Sequence, residues 1–244
     1  MDAMIEKVKN GYTINIYKDK LELSKAVFKF IESQIIYTLK KKDTFKFCVS
    51  GGSTPRSVYQ LLSNSDLNWG KVDVFLGDER CVDPNSELSN SLMLKNSLLT
   101  NFGSKAFFYE IFNDLKANDE AIKNQLISKL FERCGSNPPF FDLTLLGLGD
   151  DGHTASLFPY QKNNLDEFVI FTEGKGLKRI SLTPKVLSAS SKIVFLVSGA
   201  SKKIALERLL DENEHPNRTP SKLIKSINQI SIFCDQESAN ELEI

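Results

Sequence analysis

Two histidines occur in the 244 residues of this chain, His153 and His215. His153 stands in Gly149-Asp150-Asp151-Gly152-His153, two residues beyond a carboxylate and just past the apolar run Phe141–Leu146. An imidazole takes up a proton near neutral pH, which is what a general base for water attack requires. The aspartate two residues away can hold the ring or raise its basicity, and the glycines free the backbone to bring the pair to a ligand. The plain alternative is a loop histidine with no task. With so few histidines in the chain, the placement of one here favours chemistry. His215, in Glu214-His215-Pro216-Asn217-Arg218, reads as an ordinary loop residue.

Ser50-Gly51-Gly52-Ser53-Thr54-Pro55 follows a short β-like run, Lys46–Ser50. Glycines let a ligand approach the backbone, a helix beginning at Pro55 with Thr54 as its N-cap offers N–H groups and partial positive charge, and Ser53 and Thr54 add hydroxyls. This suits a monophosphate, although an ordinary strand-to-helix turn has the same composition. The Gly-Lys-Ser/Thr ending of a nucleotide P-loop is missing. Gly77-Asp78-Glu79-Arg80 ends another strand. Arg80 suits anion or oxyanion contact because its guanidinium fork stays charged, with Asp78 or Glu79 in an orienting role; a solvated loop is the bland reading. Arg179 opens the strand-like Arg179–Leu182, and Lys202 follows the Ser198-Gly199 turn where a mobile ammonium could reach the same mouth. Cys81, next to Arg80, is assigned no catalytic role.

Gly147-x-Gly149-x-x-Gly152 matches the dinucleotide fingerprint, with Asp166 about twenty residues on. The context argues against a nicotinamide cofactor. Two aspartates inside the loop would oppose a pyrophosphate, Pro159 comes too soon for a long crossover helix, and Asp166 precedes a strand rather than ending one.

The elements that must position these residues follow from hydrophobic patterning. Val27, Ile31, Ile35 and Leu39 mark a helix over 20–40; Ile122, Leu126 and Leu130 mark another over 117–134, stopped by Gly135. Residues 87–99 also read as a helix, and Ser198-Gly199 leads into one that runs through Leu210. Strands are expected at 46–50, 72–76, 141–146, 168–172, 179–182, 193–197 and 229–234. The alternation predicts an α/β fold, a Rossmann-like, mostly parallel sheet with helices on both faces, in which ligands gather at strand carboxyl ends. No repeat or linker divides the chain, so one domain over 1–244 is expected. Hydrophobic residues at 41% supply a core. The 31 basic and 31 acidic residues cancel, which gives no electrostatic case for nucleic acid or an anionic membrane. No apolar run approaches the ~18 residues of a membrane span, and the N-terminal residues lack a signal core. The four cysteines show no metal or disulfide spacing; a cytoplasmic location is expected.

SGGSTP, GDER with the downstream Ser89-Asn90, and GDDGHTASLFP occur in the order and with separations similar to those of the 6-phosphogluconolactonases. These form one superfamily with the glucosamine-6-phosphate deaminases/isomerases. The resemblance spans roughly residues 45–235; the DGHTASLFP string is its most specific part, joined by Trp69, Arg179–Thr183 and the Gly199-x-x-Lys202 turn. It implies a deaminase/isomerase-like α/β fold and hydrolysis of 6-phospho-D-glucono-1,5-lactone to 6-phosphogluconate in the oxidative pentose phosphate pathway, without metal or cofactor. It further implies His153 as the water-activating base, Asp151 as its acidic partner and Arg80 near the lactone or its phosphate. Gly51, Gly52, Ser53, Thr54, Arg179 and Lys202 are implied as the phosphate grip, with monomer and dimer both open. One departure is Tyr160, where the family commonly has glycine. The deaminase branch carries a glutamate just before the proline of this string; here that residue is Phe158. A non-catalytic sugar-phosphate-binding protein would be expected to lose the base or its partner, and both are present.

Overall fold

The computed structural model of the chain describes residues 5–111, 117–162, 166–226, 228–240 and 242. In chain order the elements are β1 (Ile5–Lys9), β2 (Tyr12–Tyr17), α1 (Lys20–Leu39), β3 (Phe45–Val49), α2 (Ser53–Ser63), β4 (Val72–Leu76), β5 (Asp78–Arg80), α3 (Asn90–Lys95) and β6 (Phe107–Tyr109). They continue with α4 (Asp119–Cys134), β7 (Leu143–Gly147), β8 (Val169–Gly174), β9 (Leu177–Leu182), α5 (Pro184–Leu187), β10 (Ile193–Val197), α6 (Lys203–Leu210), β11 (Ile230–Asp235) and α7 (Gln236–Ala239).

The central strands are runs such as Ile193-Val194-Phe195-Leu196-Val197, buried along their whole length, as expected of parallel strands covered on both faces. The main sheet has the order β1-β2-β11-β10-β7-β3-β4-β6, parallel throughout except for the β1–β2 hairpin. From β3 the chain moves outward through β4 to β6. It then returns to β7, beside β3, and moves the other way through β10 to β11. Right-handed crossovers therefore place α1 and α2 on one face and α4 and α6 on the other. The direction reverses between β3 and β7, so the crevice beyond their carboxyl ends is the expected ligand position of such a sheet.

Both long helices form where the four-residue spacing put them. Asp19 caps α1 by accepting from the Leu21 and Glu22 amides, and Leu23, Val27, Ile31 and Ile35 are buried along it. Asn118 caps α4, and Gly135, at φ +78, terminates it.

Several expectations needed correction. The helix after β3 starts at Ser53 with Gly52 as its N-cap, so Thr54 lies inside the first turn and caps nothing. The helix expected over 87–99 shrinks to Asn90–Lys95: Ser89 caps its start, where the Asn90 and Ser91 amides donate to Glu79, and Asn96 closes it. Asp78–Arg80 is itself a strand: β5, β9 and β8 form a separate three-stranded antiparallel sheet, in which Lys175-Gly176 turns β8 into β9. The β1–β2 hairpin and β6 carried no signal strong enough to single them out. All four cysteines are free. Burial pushes the Cys81 thiol up to about 11, in keeping with an unreactive side chain. Among the described residues, no helix is long and apolar enough to cross a membrane.

Candidate active site

The β3–α2 loop and the loop after β7 face each other across the reversal point and form two walls of a cleft of about 390 Å³. A volume of that order suits a small, polar metabolite. Gly51, Gly52, Ser53, Thr54, Arg80, His153, Arg179 and Lys202 all line it, together with Ser50, Asp78, Asn90 and Lys175. Asp151 is the one expected site residue that does not line the cleft; it holds the His153 ring.

The His153 loop is tightly tied. Gly149 N–H donates to the His153 carbonyl at 2.8 Å, and Gly152 N–H donates to the Gly149 carbonyl at 3.0 Å. Gly152 sits at φ +90, which costs glycine little. At Gly149 a Cβ would come within 2.0 Å of His153 Nδ1, so only glycine leaves room for the ring. Asp151 Oδ1 accepts from the His153 backbone N–H at 3.0 Å and lies 2.5 Å from His153 Nδ1. A carboxylate can only accept, so Nδ1 carries the proton and Nε2 of the neutral ring holds the lone pair. Burial pushes the Asp151 carboxyl up, but the His153 ring and amide hydrogen bonds outweigh it and hold the group down at about 2. Phe158 packs against the imidazole at 4.7 Å between ring centroids. It also lies beneath the Arg179 guanidinium at 5.2 Å, so one aromatic ring contacts both groups. Among the described residues, no helix starts directly after the Gly147-x-Gly149-x-x-Gly152 string, contrary to what a dinucleotide site requires.

The opposite wall is built for an anion. No side chain caps α2, as is also true of α5 and α6, whereas α1, α3, α4 and α7 are capped by Asp19, Ser89, Asn118 and Asp235. The amides of Ser53 and Thr54 open this helix, where partial positive charge collects. Arg80 and Arg179 are direct partners across the β5–β9 ladder and share one face. Burial and the neighbouring Arg80 charge both lower the pKa of Arg179. Lys202 reaches the cleft from the turn after β10, and Asp235 fixes that turn by accepting from Ser198 Oγ and the Gly199 amide. Asp150, Asp151 and His153 could converge on a cation, with ligand atoms within 4.8 Å of one another. Asp150, however, is paired with Lys175 at 2.9 Å, and the Asp151 oxygen is engaged by the His153 ring N–H.

Asn90 and Ser156, for which spacing offers no role, shape the site together with Glu79, for which an orienting role was expected as an alternative to Asp78. Asn90, 1% exposed, donates from Nδ2 to the Asp78 carbonyl at 2.9 Å. Its Oδ1 rests so close to Gly51 that a Cβ there would lie 1.9 Å away. Glu79 is buried and accepts from the amides of Arg80, Asn90 and Ser91 and from the Ser89 hydroxyl. Ser156 Oγ donates to Asp78 Oδ2 at 2.5 Å and joins the His153 loop to β5. His215 does not reach the cleft; its Nδ1 accepts from the Asn217 amide. The turn that it starts nonetheless braces the His153 loop, because Ser221 N–H donates to the Gly152 carbonyl. The Ser89-Asn90 dipeptide was the available signal for Asn90; the rest depends on tertiary placement.

Comparison with known proteins agrees with this geometry. The sequence model described as glucosamine-6-phosphate isomerases/6-phosphogluconolactonase matches residues 18–232. A 6-phosphogluconolactonase from Nostoc sp. is 30% identical over 95% of this chain and 99% of its own length. The solved 6-phosphogluconolactonase of Thermotoga maritima superposes with a TM-score of 0.79 at 27% identity, covering 92% of this chain and 99% of that one. The Trypanosoma brucei 6-phosphogluconolactonase gives a TM-score of 0.80 at 26% identity, over 94% and 98%. With the match running through nearly every element around the cleft, the chain belongs to the glucosamine-6-phosphate isomerase/6-phosphogluconolactonase family.

Proposed function

We propose that this protein is a 6-phosphogluconolactonase, acting as one domain over residues 1–244 in the cytoplasm and hydrolysing 6-phospho-D-glucono-1,5-lactone to 6-phosphogluconate in the oxidative pentose phosphate pathway. The observation that carries the reading is the Asp151–His153 pair, set opposite an uncapped helix N-terminus and two facing arginines in one cleft. Relatives bearing that name over nearly the full chain support it.

His153 Nε2 takes a proton from water as the water oxygen bonds to the lactone carbonyl carbon. Asp151 holds the ring and stabilises the imidazolium that forms, as an orienting carboxylate does. Positive charge from Arg80 meets the tetrahedral oxyanion. Collapse restores the carbonyl and breaks the bond to the ring oxygen, which receives the proton from His153. The phosphate, remote from the carbonyl, is gripped by the Gly51–Thr54 loop, Arg179 and Lys202, and it orients the ring for attack.

Proton release from freshly prepared lactone, corrected for spontaneous opening, tests the reading. Wild type should exceed background and His153→Ala should not. Equal rates for the two proteins would sink the lactonase mechanism. Ammonia release from glucosamine 6-phosphate would move the chain to the deaminase branch, whose glutamate is replaced here by Phe158.

A further inference from the structure

Four cationic side chains line the cleft: Arg80, Arg179, Lys202 and Lys175. The first three are accounted for above; Lys175 is not. It occupies the tip of the β8–β9 hairpin, a two-residue turn in which Lys175 (φ +51) and Gly176 (φ +76) are both left-handed. Asn or Gly adopts the first of these positions at least cost, so a lysine there bears backbone strain. The hairpin is held against the catalytic loop. Gly174 packs on Phe158 so closely that a Cβ would lie 2.0 Å from the ring, and Lys175 Nζ donates to Asp150 Oδ1 at 2.9 Å. That ion pair is open to solvent, with side chains 51% and 57% exposed, and a pair of this kind is weak. Asp150 itself does not line the cleft, whereas Lys175 does. A phosphate dianion makes stronger charge-assisted hydrogen bonds than a solvated carboxylate, so exchange of partner is favourable once the cleft fills.

We propose that Lys175 is a further substrate-binding residue, whose ammonium leaves Asp150 for the substrate's phosphate. The proposal rests on the lactonase reading for the identity of that substrate. It makes Asp150 a competitor that holds the lysine in the empty cleft.

Steady-state rates with fresh lactone, and calorimetric binding of 6-phosphogluconate, gluconate and inorganic phosphate, would be compared across four variants. Lys175→Ala should raise KM and weaken 6-phosphogluconate binding about tenfold, leave kcat within about twofold, and leave gluconate binding unchanged. Lys175→Arg should restore most of the affinity. Asp150→Asn should tighten 6-phosphogluconate binding two- to threefold, and that gain should vanish in the Lys175→Ala background. Unchanged binding in Lys175→Ala would overturn the proposal. So would an Asp150→Asn variant that binds more weakly, since Asp150 would then be holding the lysine in its working position. If wild type binds 6-phosphogluconate but does not turn over the lactone, the catalytic reading fails while the binding arm still decides the role of Lys175.

Discussion

Arg80 and Arg179 stand opposite each other across the β5–β9 ladder, two guanidinium side chains on one face of a small antiparallel sheet. Like charges directly opposed destabilise a sheet. The nearest carboxylate contact of Arg179 is Asp78 Oδ2 at 4.0 Å, while Arg80 donates to the Leu88 carbonyl. An anion between them would relieve the repulsion, so phosphate should stabilise the fold as well as occupy the site. Inorganic phosphate is expected to raise the melting temperature of wild type, less so at high ionic strength. In Arg179→Gln the rise should largely disappear, and KM should increase roughly 10–100-fold, the equivalent of a lost charge-assisted hydrogen bond of about 1.5–3 kcal/mol. Thermal melts with and without phosphate, paired with initial rates, check both. A variant with an intact phosphate response would remove Arg179 from the grip.

Asp151 acts on His153 by fixing its tautomer, so its removal should cost rate more than affinity. In Asp151→Asn the side-chain amide can rotate to present N–H to Nδ1, which moves the ring proton to Nε2 and takes the lone pair away from the cleft. The expected result is a kcat lowered by about 10²–10⁴-fold with KM within a few-fold of wild type. A comparable loss in KM would point to a binding role instead. Because the native carboxyl is held at about 2, acid inactivation of wild type above pH 3 should not reflect protonation of Asp151.

The line between what could be read in the chain and what could not follows the range of the interactions. Val27, Ile31 and Ile35 announce α1 because a helix repeats every 3.6 residues, and the buried run at Ile193–Val197 announces a central strand. Most site residues were legible for a related reason: they sit on glycine-bearing strand ends, where the reversal between β3 and β7 must place a ligand. The β5–β9–β8 sheet was not legible as such, since three residues of β5 carry no periodicity and pair with partners about a hundred positions away. No role is legible in the chain for Asn90, Ser156 or Lys175 because their meaning lies in contacts with Gly51, Asp78 and Asp150, not in local spacing. Tyr160 is a further case. Its φ of +60 is a left-handed conformation that only a side-chain-free residue adopts readily, so the tyrosine there bears strain that its local sequence does not reveal.

Gly51 and Asn90 form a coupled pair, because the side chain of one occupies the space that a Cβ on the other would need. With Asn90 Oδ1 only 1.9 Å from the ideal Cβ position, Gly51→Ala must displace the carboxamide or the loop. Asn90 is anchored by its Nδ2 bond to Asp78 and its amide bond to Glu79, so the loop is the part expected to give. Overpacking of this kind typically costs about 1–3 kcal/mol. Affinity for 6-phosphogluconate should fall with it, because the α2 amides shift. Adding Asn90→Ala should recover part of the loss, which denaturant unfolding of the two single variants and the double would detect as non-additivity. Additive losses would mean that the two residues do not share that space in solution.

Asp235 sets the acid limit of the turn that carries Lys202. Its carboxylate is 2% exposed and accepts from Ser198 Oγ, the Gly199 amide, the Ser238 amide and Ser238 Oγ. Burial pushes its pKa up, but these hydrogen bonds outweigh burial and leave it below the ordinary aspartate value of 3.8. A depressed native pKa means that the unfolded chain binds the proton first as pH falls. The stabilisation is therefore fully present above pH ~4, near the unfolded value, and is lost as pH drops through the native one. Asp235→Asn keeps the size of the group but only one acceptor oxygen: placed as Oδ1 it still serves the Gly199 and Ser238 amides, while the Ser198 hydroxyl loses its carboxylate acceptor, at a cost of about 1–3 kcal/mol near neutral pH. The gap between wild type and variant should be constant from pH 7 down to about 5 and narrow below about 4. Urea unfolding at a series of pH values measures it. A gap that widened on acidification would mean that the native carboxyl is protonated more readily than the unfolded one, contrary to the geometry around Ser198 and Gly199.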